Sequence, residues 1–146
     1  NKTIVTTLEK ELISPELSQL TGWKKDASIW NLVRQRQIDG EVVILDKDFL
    51  LTDIIEDLPL DKAENSIYDY FENDLGLEIA YAKKEIEVDP ITEELAELMD
   101  LRPEDTHVIA IKSLVFLEDT RCFEYTESYH RLDKFKFVEF ARRRKI

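Results

Sequence analysis

The sequence predicts an α+β domain in which helices flank an antiparallel β-sheet. Long runs rich in β-branched and aromatic residues fill the last third of the chain, and connections of only a few residues separate them. Earlier in the chain, an Asp-Gly pair lies between two further β-type runs, which is the strongest short-range signal for a hairpin. Strands joined by hairpins form antiparallel sheets, and we expect the helices to cover one face of this sheet.

The first third of the chain is predicted to contain a strand, a short helix and the hairpin. Residues 2–7 have the composition of a strand. Ser14 followed by Pro15 is typical of a helix start, and Gly22 is typical of the end of the same helix. The hairpin is predicted over residues 30–50.

The hairpin carries two arginines, Arg34 and Arg36, whose side chains share one face of the strand. Arginine donors match phosphate oxygens, so this pair indicates a phosphate site; the alternative is a polar surface on which both arginines pair with carboxylates. A two-residue turn at Asp39 and Gly40 places Asp46 on the opposite face. A three-residue loop with Gly40 in a bulge places Asp46 beside the arginines, and the sequence permits both.

Two further helices and four further strands are predicted after the hairpin. The acidic connection 53–64 has no assignable pattern. Asn65 or Ser66 caps a helix that ends at Gly76, and Asp89 with Pro90 opens another. The apolar stripes of these helices are Ile67, Phe71 and Leu75 in the first, and Ile91, Leu95 and Leu98 in the second. The predicted strands are 77–88, 107–117, 121–131 and 135–140.

Composition limits the classes of partner. A chain of 146 residues with 43% hydrophobic content forms one core, and its net charge of −12 disfavours direct binding to nucleic acid. The sequence contains no apolar run long enough to cross a membrane, so we expect no membrane partner. Its one cysteine, Cys122, cannot form an internal disulfide, which favours a reducing compartment such as the cytoplasm.

Catalytic patterns are sparse. Three glycines cannot build a glycine-rich phosphate loop, and His107 and His130 lack partners at a metal-ligand spacing. Glu124 and Glu127 are an odd number of positions apart on a predicted strand, so they face opposite sides. Because no carboxylate pair in the sequence indicates an acid and a base poised by burial, we expect no enzyme, no metal and no cofactor.

Three blocks of the sequence, residues 33–41, 65–68 and 123–135, resemble the signature blocks of the UTRA domain in order and spacing. This domain is the effector-binding half of GntR-type transcriptional regulators of the HutC subfamily. The stretch 133–145 is similar to the trehalose operon repressors of that group. The resemblance implies a chorismate-lyase-like fold and a sensor that binds a phosphorylated sugar, with trehalose 6-phosphate as the best candidate.

The resemblance also implies the residues of the effector site. Arg34 and Arg36 hold the phosphate, Ser66 adds a hydroxyl, and Tyr68 follows it in the second block. Asp46 recognises the sugar from a position where the family usually has glutamate. In the third block the implied residues are Glu124 and an aromatic position that falls on Tyr129 or His130.

The family comparison further implies how the chain is organised. Residues 1–146 correspond to the effector-binding domain, and an N-terminal winged helix-turn-helix domain that binds operator DNA is absent from this chain. A homodimer is expected. The alternatives are a sensor for an amino-sugar phosphate, a chorismate-lyase-like enzyme, and a protein-binding module that uses the hairpin and Trp30 as its interface.

Overall fold

The computed structural model describes residues 1–143. Its strands are β1 (Lys2–Leu12), β2 (Ser28–Ile38), β3 (Glu41–Leu51), β4 (Ile79–Pro90), β5 (His107–Leu117) and β6 (Cys122–His130). They form a 6-stranded sheet in the order β1-β2-β3-β6-β5-β4, and every neighbouring pair is antiparallel. β3 and β6 therefore meet at the centre, and β1 and β4 form the outer edges. The end of the stretch similar to trehalose operon repressors, Arg144 and Lys145, lies outside the described residues.

Helices cover both faces of the sheet, so the expectation that they cover one face is wrong. The helices are α1 (Pro15–Thr21), α2 (Leu60–Ala63), α3 (Ile67–Asp69) and α4 (Glu93–Leu98), and a π-helical turn, Tyr70–Asp74, continues α3. Within residues 1–143, no helix is long and apolar enough to span a membrane.

The reason for two covered faces is the distribution of apolar side chains along β3. Leu50 packs with α2 and α3, and we call this side of the sheet the α3 face. Leu45 packs against α4 and Phe49 against the cluster that contains α1, on the side that we call the α1 face. Successive strand residues point to opposite faces, so both sides need a cover to exclude water.

α1 has the predicted boundaries. Ser14 Oγ accepts a hydrogen bond from the backbone N–H of Leu17 at 3.1 Å, which satisfies one of the free donors at the helix start. Gly22 ends the helix with a φ of 76°, and its N–H bonds the carbonyl of Ser18. The predicted caps are confirmed.

The hairpin combines parts of both sequence alternatives. Asp39 and Gly40 form a two-residue turn with φ values of 53° and 81°. Val43 is an extra residue in β3, because Gln37 pairs with Val42 and Arg36 pairs with Ile44. This bulge shifts the alternation of side chains by one position. Asp46 therefore lies directly opposite Arg34, on the same face, although the loop is the short one.

The π-helical turn changes the predicted apolar stripe of the helix at Ser66. The N–H of Leu75 bonds the carbonyl of Tyr70, five residues back, at 3.0 Å. The wider turn rotates Leu75 away from the core: its exposed fraction is 39%, whereas Phe71 is fully buried. Phe71 and Ile67 match the predicted stripe, and Leu75 does not.

Two predicted elements differ from the structure. Asp89 and Pro90 belong to β4, where they pair with β5, and α4 begins after a cap at Thr92. Proline has no backbone N–H to donate, but at the end of an outer strand this missing donor does not interrupt the sheet. The strand therefore extends farther than expected. Residues 135–140 form no strand. β6 already has β3 and β5 on its two sides, so the chain that follows it has no adjacent edge to join.

Candidate functional site

A cavity of about 470 Å³ lies on the α3 face, between α3, the start of β4 and the sheet. α3 supplies Ile67 and Tyr68, and residues 79–82 of β4 supply much of the apolar lining. The sheet supplies a polar floor. The charged and hydroxyl side chains that line the cavity are those of Arg34, Arg36, Asp46, Asp48, Tyr68, Tyr81, Lys84, Ser113, Thr126 and Ser128.

The strand register arranges the floor in rows, because residues directly opposite each other on neighbouring strands share a face. One row crosses β3, β6, β5 and β4 and consists of Asp48, Thr126, Ser113 and Lys84. The next row crosses β2, β3 and β6 and consists of Arg34, Asp46 and Ser128. The floor therefore carries two carboxylates, three hydroxyls and two kinds of cation within two adjacent rows.

Each of the two arginines pairs with a carboxylate on β3. Arg34 Nη2 lies 2.8 Å from Asp48 Oδ2, and the two side chains are only 4% and 6% exposed. Arg36 Nε donates to Asp46, and the Arg36 side chain is 39% exposed. Ser128 Oγ donates to the other oxygen of Asp46. Arg34 is thus a buried component of the sheet, whereas Arg36 can still contact a molecule in the cavity.

Glu124 extends the buried network beneath the cavity. The hydroxyl of Tyr68 donates to Glu124 Oε1 at 2.7 Å, which joins α3 to β6. Glu124 is completely buried. Among residues 1–143, neither Glu124 Oε2 nor Arg34 Nε has a hydrogen-bond partner.

Asp48 and Glu124 share too little positive charge for both to be ionised. Burial raises the pKa of Glu124 well above its usual value, and the charge of Asp48 raises it further. Burial also raises the pKa of Asp48, while Arg34 opposes this rise. Because Arg34 contacts Asp48, we assign the shared proton to Glu124. The sequence gives no sign of this pair, because Asp48 and Glu124 come from strands that are distant in sequence and adjacent in the sheet.

Replacing Glu124 with glutamine is expected to flatten the pH dependence of stability. The folded state holds a proton on Glu124 that the unfolded chain releases above a pH of about 4.3, so wild-type stability falls as the pH rises toward the folded-state pKa. The glutamine variant lacks this proton. Urea unfolding over a pH series should give slopes that differ by up to about 1.4 kcal/mol per pH unit. Exposed Glu118→Gln is the control, and parallel curves for wild type and Glu124→Gln would contradict the assignment.

Four residues implied by the family resemblance do not line the cavity: Glu124, which is buried beneath it, and Ser66, Tyr129 and His130. Ser66 caps α3, where its Oγ accepts from the N–H of Asp69 at 3.2 Å, and it does not line the cavity. Tyr129 lies on the α1 face, and its hydroxyl donates to Glu127. His130 lies on the α3 face, one row beyond Ser128, and contacts the Ser128 hydroxyl at 2.9 Å. Of the two aromatic alternatives, His130 is therefore the one that shares a face with Glu124.

Several cavity residues were not predicted from the sequence. Asp48 follows Asp46 by two positions, and Thr126 and Ser128 follow Glu124 in the same alternation, so strand periodicity could have indicated all three. Lys84 and Ser113 gave no such signal. They reach the cavity only through the pairing of β4 with β5 and of β5 with β6.

Trp30 does not form the exposed aromatic surface expected of a protein-binding module. Its Nε1 donates to the carbonyl of Ile55 at 2.8 Å, and its ring packs against the core. The ammonium of Lys10 lies 5.0 Å from the centre of the ring.

Residues 1–143 also contain no group of three or more potential metal ligands.

Residues 1–136 match the family model described as the UTRA domain. The chain belongs to the UTRA domain family. The predicted family and α+β fold are confirmed. The effector-binding domain of the Bacillus subtilis trehalose repressor TreR superposes with a TM-score of 0.92 and 48% identity, over 99% of this chain and 100% of that one. A GntR-family regulator from Bacillus cereus shares the fold, with a TM-score of 0.87 and 19% identity.

Curated relatives of this UTRA domain are named as transcriptional regulators. The HTH-type transcriptional regulator TreR of B. subtilis is 55% identical over 120 residues, which are 82% of this chain and 50% of that protein. The HTH-type transcriptional repressor NagR of B. subtilis is 26% identical over 128 residues, 88% of this chain and 52% of that protein. The chain therefore spans about half the length of these relatives. Their names support a regulatory function over an enzymatic one.

Proposed function

We propose that this UTRA domain is the effector-binding part of a bacterial transcriptional repressor and that its effector is a phosphorylated sugar. The observation that carries the proposal is the cavity on the α3 face. Its volume of about 470 Å³ is within the range of about 300–1,000 Å³ that is usual for small-molecule sites. The same cavity is lined by cations, which can bind a phosphate. It is also lined by carboxylate and hydroxyl groups, which can bind the hydroxyls of a sugar.

Trehalose 6-phosphate is the best candidate for this effector. The solved structure that superposes at a TM-score of 0.92 is described as the effector-binding domain of a trehalose repressor. Arg36 and Asp46 line one side of the cavity, where a phosphate can bind the partly exposed guanidinium and a sugar hydroxyl can donate to the carboxylate. We propose roles for Tyr68 in the roof of the cavity and for Glu124 as the residue that holds the Tyr68 hydroxyl.

The proposal includes a division of labour within a longer protein. The relatives are named as HTH-type regulators, and this chain spans about half of their length. DNA binding then belongs to an N-terminal winged helix-turn-helix domain that is not in this chain, and a homodimer binds the operator in the cytoplasm. An acidic effector-binding domain is compatible with this arrangement because only the DNA-binding domain has to approach the phosphates.

The buried carboxylate pair does not make a lyase the better hypothesis. Perturbed pKa values of acidic groups often mark catalytic sites. Glu124, however, is completely enclosed and does not line the cavity, so it cannot exchange a proton directly with a molecule bound there. Its side-chain partners are Tyr68 and Asp48, and these contacts indicate a structural role beneath the site.

Calorimetry should rank trehalose 6-phosphate above both trehalose and glucosamine 6-phosphate. Hydrogen bonds to charged groups contribute about 1.5–3 kcal/mol each, so removing the phosphate should weaken binding about a hundredfold if two such bonds are lost. Arg36→Ala should weaken binding of the phosphorylated sugar by about tenfold or more and leave trehalose almost unchanged. Arg121→Ala is the control, because Arg121 is exposed and lies outside the cavity.

The outcomes separate the parts of the proposal. Stronger binding of glucosamine 6-phosphate would retain the sugar-phosphate sensor and exclude trehalose 6-phosphate as its best ligand. An equal affinity for trehalose and its phosphate would contradict the phosphate site. Release of pyruvate from chorismate would instead favour the lyase.

A further inference from the structure

Lys84 is a cation of the cavity that no carboxylate of residues 1–143 neutralises. It is exposed on the outer strand β4 and lines the cavity on the α3 face. Among residues 1–143, its ammonium forms no ion pair within 4.0 Å, although eleven such pairs are present. The neighbouring acids do not reach it, because Glu85 and Glu87 point to the α1 face, where Glu87 pairs with Lys112.

The two arginines differ from Lys84 in this respect. Asp48 neutralises Arg34 inside the sheet, and Asp46 neutralises Arg36 at the edge of the cavity. The charges of these two pairs cancel, so together they attract a distant anion only weakly. Within residues 1–143, Lys84 adds a positive charge that has no protein counter-ion. It is therefore the cation of the cavity that is available to an anionic effector.

The local structure favours contact between Lys84 and a ligand. Ser113 lies directly opposite Lys84 on β5, is buried, and lines the same cavity. Beyond it in the same row lie Thr126 and Asp48. A molecule that rests on this row meets hydroxyls along its length and the ammonium at the β4 end. The four-carbon stem of lysine allows the ammonium to move toward the ligand.

We propose that Lys84 determines specificity for an anionic effector by extending its ammonium across the cavity to the phosphate that Arg36 contacts from the hairpin side. This inference rests on the proposed function. It adds to the site a residue from the outer strand, so that the bound effector connects β4 with the central hairpin. The effector is then selected by its charge at Lys84 and by its hydroxyl groups along the row.

The test compares Lys84→Gln with Lys83→Gln in the 146-residue chain. Lys83 is the adjacent lysine of β4, is also exposed, and faces the α1 side, so its loss makes the same change in net charge. Titration calorimetry with trehalose 6-phosphate should show about tenfold weaker binding for Lys84→Gln. Lys83→Gln should bind like the wild type, trehalose should bind all variants equally, and Lys84→Arg should retain most of the affinity for the phosphorylated sugar.

Each result decides between defined alternatives. If the wild type binds trehalose 6-phosphate and Lys84→Gln binds it equally well, the role of Lys84 is refuted and the proposed function stands. If Lys84→Gln weakens trehalose and its phosphate by the same factor, Lys84 does not select for charge and the inference is also overturned. If the wild type binds neither sugar phosphate, the proposed function and the inference fail together. Unchanged urea unfolding of the variants verifies that folding is not the cause.

Discussion

Replacing Arg34 with alanine is expected to destabilise the domain by about 3–5 kcal/mol, as for other buried ion pairs that lose one partner. Asp48 would remain buried without its counter-ion, beside Glu124. Protonation of Asp48 would then be the least unfavourable response. Urea unfolding at neutral pH measures the loss, and lowering the pH should recover part of it, because the unfolded chain also becomes protonated there.

Arg36→Ala provides the matched control for Arg34→Ala. Its side chain is 39% exposed, and an ion pair of this kind contributes about 0–1 kcal/mol to stability. Equal destabilisation by the two variants would contradict the difference in burial. The double variant Arg34→Met with Asp48→Leu removes both charges, and it should recover much of the stability because neither ion then remains unpaired. The first arginine is thus expected to act mainly in folding and the second mainly in binding.

Replacing Phe71 with alanine is expected to lower stability by about 3–5 kcal/mol. Phe71 is fully buried in the π-helical turn, and its ring meets the edges or faces of Tyr68 and Phe123 at centre distances of 5.6 Å and 5.5 Å. The loss leaves a cavity between the turn and the sheet. It also removes the support of Tyr68, so binding of the phosphorylated sugar should weaken in calorimetry under conditions in which the variant is still folded.

Leu75→Ala is the control for this prediction. A regular helix would bury Leu75 with Phe71, and its replacement would then have a cost similar to that of Phe71→Ala. The π-helical turn instead leaves Leu75 partly exposed, so a change of no more than about 1 kcal/mol in the free energy of unfolding is expected. A large loss for Leu75→Ala would show that the segment is a regular helix.

Local sequence signals predicted the parts of the fold that depend on neighbouring residues. The Asp39 and Gly40 turn, the cap at Ser14 and the shared face of Arg34 and Arg36 all follow from short-range rules. The bulge at Val43 does not, because nothing in its side chain distinguishes it from Val42. Its position is fixed by contacts from elsewhere: its carbonyl accepts from the N–H of Arg131, and Asp100 bonds the backbone of Val42.

The candidate site could be predicted only in part because its floor crosses strands that are distant in sequence. The bulge shows the face on which Asp46 lies, and the register of β6 shows that His130, and not Tyr129, shares the face of Glu124. Lys84 required the full order of the sheet, since β4 is the next strand after the hairpin in sequence but is separated from it in space by β6 and β5. The protonation state of Glu124 could not be predicted either, because it depends on the burial of both Asp48 and Glu124, which are far apart in the sequence.

The position of β4 at the edge of the sheet also affects the tendency of the protein to aggregate. An edge strand of 12 residues presents unpaired backbone donors and acceptors to which another chain can add. β4 carries Lys83, Glu85 and Glu87 on one side and Lys84 on the other. Such charges oppose the addition of a further strand and act as gatekeepers against aggregation. Lys84 is the charged residue on the face of β4 that also exposes Ile86 and Val88, so a neutral residue at position 84 is expected to increase self-association at high protein concentration.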